Sequence, residues 1–380
     1  SLLQERYGFA YGMTGTRIFC GIAVGYSRES AGQNLCGKRG RTDILGLRKV
    51  KVFIQKTCGP LIQRLPPQWC RPFSCVPYLG KAFYSRYLSG YPQKESGKAP
   101  HCYVLEQKKT VHILDAMHIQ HGKGMSFAGK KVALVAHWDP QACIDPYVCF
   151  YARALKDMGY AVVLTSDREL QLTEASLSCF DAIIWRSCPG YDFTSWKGAL
   201  EKLPSLALAS ELIFTNDSIF GPIHSLYDVH TCMNALQCDF WGLSSSNERQ
   251  LHLQSFYLVF RKNIIQSTAF KLFWDHVGTS EDKEYVIDTY EVKLTSWFQE
   301  HGFVAATYVT PEIDGFYTQQ GPVYMYWRKL LHEYRFPFVK RDVIAGKNWW
   351  IDRSHWKQEL QSYPVQLITD YMERIRATIK

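Results

Sequence analysis

The run Lys131-Val132-Ala133-Leu134-Val135-Ala136 is apolar without alternation, the pattern of a strand buried on both faces of a sheet. Residues 147–158 follow at helical spacing, with Phe150, Tyr151, Ala154, Leu155 and Met158 on one side and Gly159 as terminator. The strand pattern returns at 161–165, 181–185 and 212–215, with a short helix expected at 194–200. Strands of this kind pair in parallel, and the helices between them must cover both faces. The chain is therefore expected to build an α/β domain on a twisted sheet, over about residues 128–350.

The residues before it have a different character. Residues 1–130 hold 20 Lys and Arg against 6 Asp and Glu, whereas the remainder holds 24 against 29, within a total of +9. Residues 1–47 are rich in Gly, Ser and Arg and read as a poorly ordered basic leader. Residues 48–127 read as a small basic, mostly helical region with a linker at 91–100; apolar and basic residues alternate at helical spacing over 47–65, and 79–88 suits a further short turn. Such a basic segment suits an anionic membrane face. It carries no interleaved aromatic and basic recognition motif, so nucleic acid is not an expected partner.

An apolar share of 46% excludes wholesale disorder. No apolar stretch reaches the 18 or so residues that a membrane-spanning helix needs, and the first residues lack the pattern of a signal peptide. The twelve cysteines include no Cys-x-x-Cys and read as reduced, buried thiols. Together these point to a cytoplasmic protein, peripheral on the inner membrane face at most. Residues 351–380 are expected to form a C-terminal helix packed back on the domain.

In open α/β sheets ligands bind beyond the carboxyl ends of the strands. Asp139 follows the first strand here, Asp167 the second, Gly190 and Asp192 the third, and Asn216 and Asp217 the fourth. Four acids on one rim suit sugar hydroxyls, or Mg²⁺ or Mn²⁺ bound with a diphosphate. Dinucleotide, P-loop and hydrolase-elbow signatures are all missing from the sequence.

Six blocks narrow the reading: Gly190-Tyr191-Asp192-Phe193-Thr194-Ser195-Trp196-Lys197, Thr215-Asn216-Asp217-Ser218-Ile219-Phe220-Gly221-Pro222, Cys238-Asp239-Phe240-Trp241-Gly242-Leu243, His252-Leu253-Gln254-Ser255-Phe256, Tyr290-Glu291-Val292-Lys293-Leu294-Thr295 and Phe336-Pro337-Phe338-Val339-Lys340. In this order they resemble the rhamnan synthesis protein F family, departing from its pattern at Cys188 and Thr194. The resemblance implies a GT-A-like, Rossmann-type mixed sheet flanked by helices. It also implies an inverting glycosyltransferase, a hexosyltransferase that uses dTDP-L-rhamnose to extend a cell-surface polysaccharide or lipid-linked glycan. The alternative is a catalytically silent nucleotide-sugar-binding or scaffolding subunit of a polysaccharide assembly complex.

Under the resemblance Asp217 is the expected metal ligand, and Glu291 the general base, with Asp239 its competitor. Asp139, Asp167, Arg186, Gly190, Asp192, Asn216 and Lys340 are the expected donor contacts, with Arg341 beside Lys340 facing the leaving diphosphate. Trp241, His252 and Gln254 are assigned to the acceptor. Each also has a structural reading: helix caps and turns for the aspartates, a first-turn position for Glu291, core for Trp241 and Trp196.

Overall fold

The computed structural model describes residues 113–309, 322–346 and 351–378. The basic leader, the helices expected at 47–65 and 79–88 and the linker at 91–100 lie outside those residues. All described elements belong to one compact unit.

A nine-stranded sheet runs β1 (Met117–His121), β4 (Ala182–Arg186), β3 (Tyr160–Ser166), β2 (Lys131–His137), β5 (Glu211–Asn216), β9 (Tyr257–Arg261), β7 (Phe240–Ser246) and β10 (Ala305–Val309), with β8 (His252–Leu253) paired to the end of β7. Strands β4, β3, β2 and β5 are parallel, and β10 is parallel to β7. Strand β9 is antiparallel to both β5 and β7, and β1 to β4. The expected mixed α/β sheet flanked by helices is what forms. Strands β6 (Ile219–Phe220) and β11 (Val339–Lys340) make a separate two-stranded ribbon beyond the end of β5.

Helix α1 (Pro146–Asp157) returns from β2 to β3, and α2 (Asp192–Lys202) from β4 towards β5. They are followed by α3 (Leu226–Asn234), α4 (Thr268–His276), α5 (Val292–Glu300) and α6 (Gln366–Thr378). Residues 356–380 do not form one helix: a turn at Trp356–Glu359 ends before Pro364, whose ring and missing N–H interrupt the ladder, and α6 starts after it. The expected packing back does occur. Tyr371 meets Tyr147 edge-on, with 5.4 Å between ring centroids, and Tyr363 meets Phe150 at 5.1 Å.

The aromatic excess is spent on the core. Trp196, Phe214, Phe240, Phe260, Phe270, Phe273, Trp274 and Phe298 form one cluster beneath α2, α4 and α5. Pairs such as Phe214 and Trp274, 4.8 Å apart, add to area burial by roughly 0.5–1.5 kcal/mol.

Candidate active site

The carboxyl edge of the parallel strands carries the site. At the end of β2, His137 is buried, its Nδ1 2.7 Å from Asp217 Oδ2 and its Nε2 2.9 Å from the Cys143 carbonyl. Neither partner has a proton to give, so both ring nitrogens donate and the imidazole is a cation. Burial opposes that charge, but the Asp217 carboxylate outweighs it and holds the His137 pKa above its ordinary value. Asp217 also accepts the Trp138 N–H (3.3 Å) and faces Arg341 at 3.5 Å. Burial pushes its pKa up, Arg341 and His137 pull harder, and the net shift is downward.

A hydrogen-bonded chain crosses the end of β5. Lys340 Nζ donates to Ser218 Oγ (2.9 Å), Ser218 Oγ to Asn216 Oδ1 (2.6 Å), and Asn216 Nδ2 to Asp192 Oδ2 (2.7 Å). Asp192 opens α2, where the helix dipole favours a carboxylate. Even so, burial raises its pKa to about 6. Lys340 lies over the Phe256 ring at 4.2 Å, and burial lowers its pKa to about 8 against the fields of Glu291, Asp192 and Asp342. Glu291 ends a wide π-type turn (Ile287–Glu291) leading into α5, and its Oε1 accepts the Ser255 N–H at 2.9 Å. Turns of this kind are frequent at functional sites. Asp192, Asn216, Asp217, Lys340 and Glu291, far apart in sequence, thus share one electrostatic environment.

Gly190 and Arg186 shape this rim from beneath. Buried Arg186 spends its guanidinium on Ser195 Oγ (2.9 Å), the Cys188 carbonyl and the Gly190 carbonyl (2.6 Å). A Cβ on Gly190, at φ +155°, would stand 2.4 Å from Thr194 Oγ1. Arg186 is therefore a staple for the turn after β4 rather than a donor contact.

Other expected residues take structural places. Asp139 caps its own loop, accepting from Gln141 N (2.9 Å) and Cys143 N (3.1 Å), and pairs with Arg374 of α6. Burial works against its charge, but Arg374 and those N–H groups keep its pKa low. Arg374 also reaches Asp145, at 2.8 Å from Nε. Asp167 binds Arg168 through both oxygens, at 3.1 and 3.0 Å. Asp239 precedes β7 and therefore lies at the opposite edge of the sheet from Asp217 and Glu291; its carboxylate anchors Val304 N (2.6 Å) and the Asn263 amide, a structural place away from the rim. Trp241 is fully buried against His230 and Tyr257, and cannot stack on an acceptor sugar. Trp196 is core as well. His252 and Gln254 do sit at the carboxyl end of β7: His252 is buried with Nδ1 on the Gln250 carbonyl (2.8 Å), and Gln254 Oε1 accepts from Ser244 Oγ (2.6 Å). Sequence reasoning passed over Trp138, which is 52% exposed beside Asp217.

The expected metal ligand already has its charge balanced within the protein. The charge of the Asp217 carboxylate is already met by an imidazolium and a guanidinium, and among the described residues no three His, Cys, Asp or Glu side chains converge on a metal position. Mg²⁺ or Mn²⁺ would have to settle against those cations. No helix among the described residues is long and apolar enough to cross a membrane.

The profile of the family described as rhamnan synthesis protein F matches residues 162–379. The chain is 29% identical over 165 residues to the uncharacterized protein y4gN of Sinorhizobium fredii, covering 42% of this chain and 43% of that one. It is 26% identical over 224 residues to the virulence protein VirA of Vibrio anguillarum, covering 50% and 71%. The chain thus spans less than half the length of the Sinorhizobium relative.

Proposed function

The chain belongs to the rhamnan synthesis protein F family, a family of polysaccharide synthesis, and from that premise we propose that it is an inverting glycosyltransferase. In this reading it moves rhamnose from dTDP-L-rhamnose to a cell-surface polysaccharide or a lipid-linked glycan. The observation that supports it is the meeting of Asp192, Asn216, Asp217, Lys340 and Glu291 at the carboxyl edge of β5.

Glu291 is the base. As the acceptor hydroxyl oxygen forms its bond to the anomeric carbon, the bond from that carbon to the diphosphate breaks, and its electron pair leaves with the nucleotide. The hydroxyl proton passes to the Glu291 carboxylate. The Ser255 N–H fixes the carboxylate while this happens. Asp192, oriented by Asn216, faces hydroxyls of the donor sugar, and Lys340 faces the departing oxygens, where positive charge counts most as negative charge develops. Gln254 and His252, beyond β7, border the acceptor side.

The test is binding and hydrolysis of dTDP-, UDP- and GDP-sugars by the purified chain, with and without Mg²⁺ or Mn²⁺. Selectivity for dTDP-L-rhamnose is the expected result. Selectivity for another donor would retire the rhamnosyl assignment, and no binding by folded protein would favour a scaffolding subunit. The excess of 14 positive charges in residues 1–130 supports a further reading, that this segment rests on an anionic membrane surface; co-sedimentation with phosphatidylglycerol vesicles tests it.

A further inference from the structure

The acid expected to hold a metal is instead held by two cations, and a third cation, Lys340 next to Arg341, has no carboxylate in ion-pair contact among the described residues. Arg341 is tied to Asp217 and to Tyr147 Oη, 3.0 Å away, and its backbone N–H donates to the Ser218 carbonyl at 2.8 Å. The next residue back, Lys340, is placed by the β11–β6 ribbon, where it pairs with Ile219. One of its three donors goes to Ser218 Oγ, and no carboxylate is in ion-pair contact with it among the described residues. The charged groups that face it are Glu291, Asp192, Asp342 and Arg341, with Ser218 and the Phe256 ring against the ammonium itself. An ammonium in this state is poorly solvated and balanced only by carboxylates at longer range, so a direct contact with an anion that arrives and leaves is open to it.

We propose that the Lys340 ammonium takes the place of a divalent cation in this site, binding the diphosphate of the donor directly, while Arg341 and His137 cancel the charge of Asp217. The inference rests on the nucleotide-sugar reading above. It makes diphosphate affinity independent of metal. It also makes affinity fall as pH rises, because burial already brings Lys340 to about 8 and only the protonated form holds the anion. Binding near pH 8.5 should then take up a proton.

The experiment uses dTDP and UDP as probes, with binding to the full chain measured by calorimetry in EDTA, in Mg²⁺ and in Mn²⁺. Wild type is compared with Lys340→Gln and Lys340→Arg, each checked for folding by thermal melting. The expected result is affinity that is equal with EDTA and with metal, about ten- to a hundredfold weaker in Lys340→Gln, and largely restored in Lys340→Arg. Repeating the titration in buffers of different ionisation enthalpy should reveal the proton taken up by wild type, a signal that a purely structural lysine would not give. Binding that needs Mg²⁺ or Mn²⁺ would overturn the inference while leaving the donor reading intact. Metal-free binding unchanged in Lys340→Gln would overturn the role of Lys340. No binding of either nucleotide under any condition would sink the donor reading, and this inference with it.

Discussion

Replacing Asp217 by Asn removes the one negative charge that His137 and Arg341 share. The His137 and Asp217 side chains are 1% and 6% exposed, so water cannot take over the missing interaction. Removing one member of a buried pair costs about 3–5 kcal/mol, and each kcal/mol moves Tm by about 2–4 °C in a domain of this size. A drop of roughly 6–20 °C follows. The loss must also depend on pH. The folded pKa of His137 is raised, so its contribution is full below 6.5 and fades as pH rises through the folded value. That of Asp217 is lowered, so its contribution is full above 3.8 and fades as pH falls through the folded value. The difference in Tm between wild type and variant should therefore be greatest between those pH values and shrink on the alkaline side. Scanning fluorimetry across roughly pH 5 to 9 reads it directly. A shift below about 2 °C, or a difference flat in pH, would refute the ion-pair argument.

Glu291→Gln should lower kcat by about 10²- to 10⁴-fold with dTDP affinity unchanged, as measured by initial rates and calorimetry. Burial holds Asp192 near 6, so kcat/KM should fall as pH drops below about 6, and Asp192→Asn should abolish that acid limb. Asp239→Asn, on the far edge of the sheet, should lower Tm through its lost bonds to Val304 and Asn263 while kcat stays within about twofold; a collapse of kcat in folded protein would return Asp239 to the site.

Much of the scaffold was legible because parallel strands buried on both faces leave an unmistakable pattern. Strands β2 to β5 and helices α1 and α2 begin and end within two residues of where periodicity places them. Strand direction was harder to read. Antiparallel β9 enters between β5 and β7, and only that arrangement shows Asp239 to be at the wrong end of its strand. The acids of the rim were found, but their partners were not. Nothing local marks Asp139 for Arg374, and a capping aspartate looks the same in sequence as one that faces a nucleoside. Trp241 resembled a stacking face because a seven-residue strand buried throughout, with Ser at three of its positions, does not announce its depth. Lys340 and Glu291 were legible through the family blocks; that they meet required the fold.

The long reach of the cations has a consequence for how the chain is made. Arg374 stands 235 residues after Asp139, Arg341 194 after Tyr147, and Lys340 122 after Ser218. During synthesis, β2 to β5 emerge with Asp139, Asp145 and Asp217 before the guanidinium groups of Arg341 and Arg374 that pair with them. Pairings this distant in sequence are slow to form. The edge that carries Asp139, Asp145 and Asp217 thus acquires these two counter-charges only once residues 341 and 374 have been made.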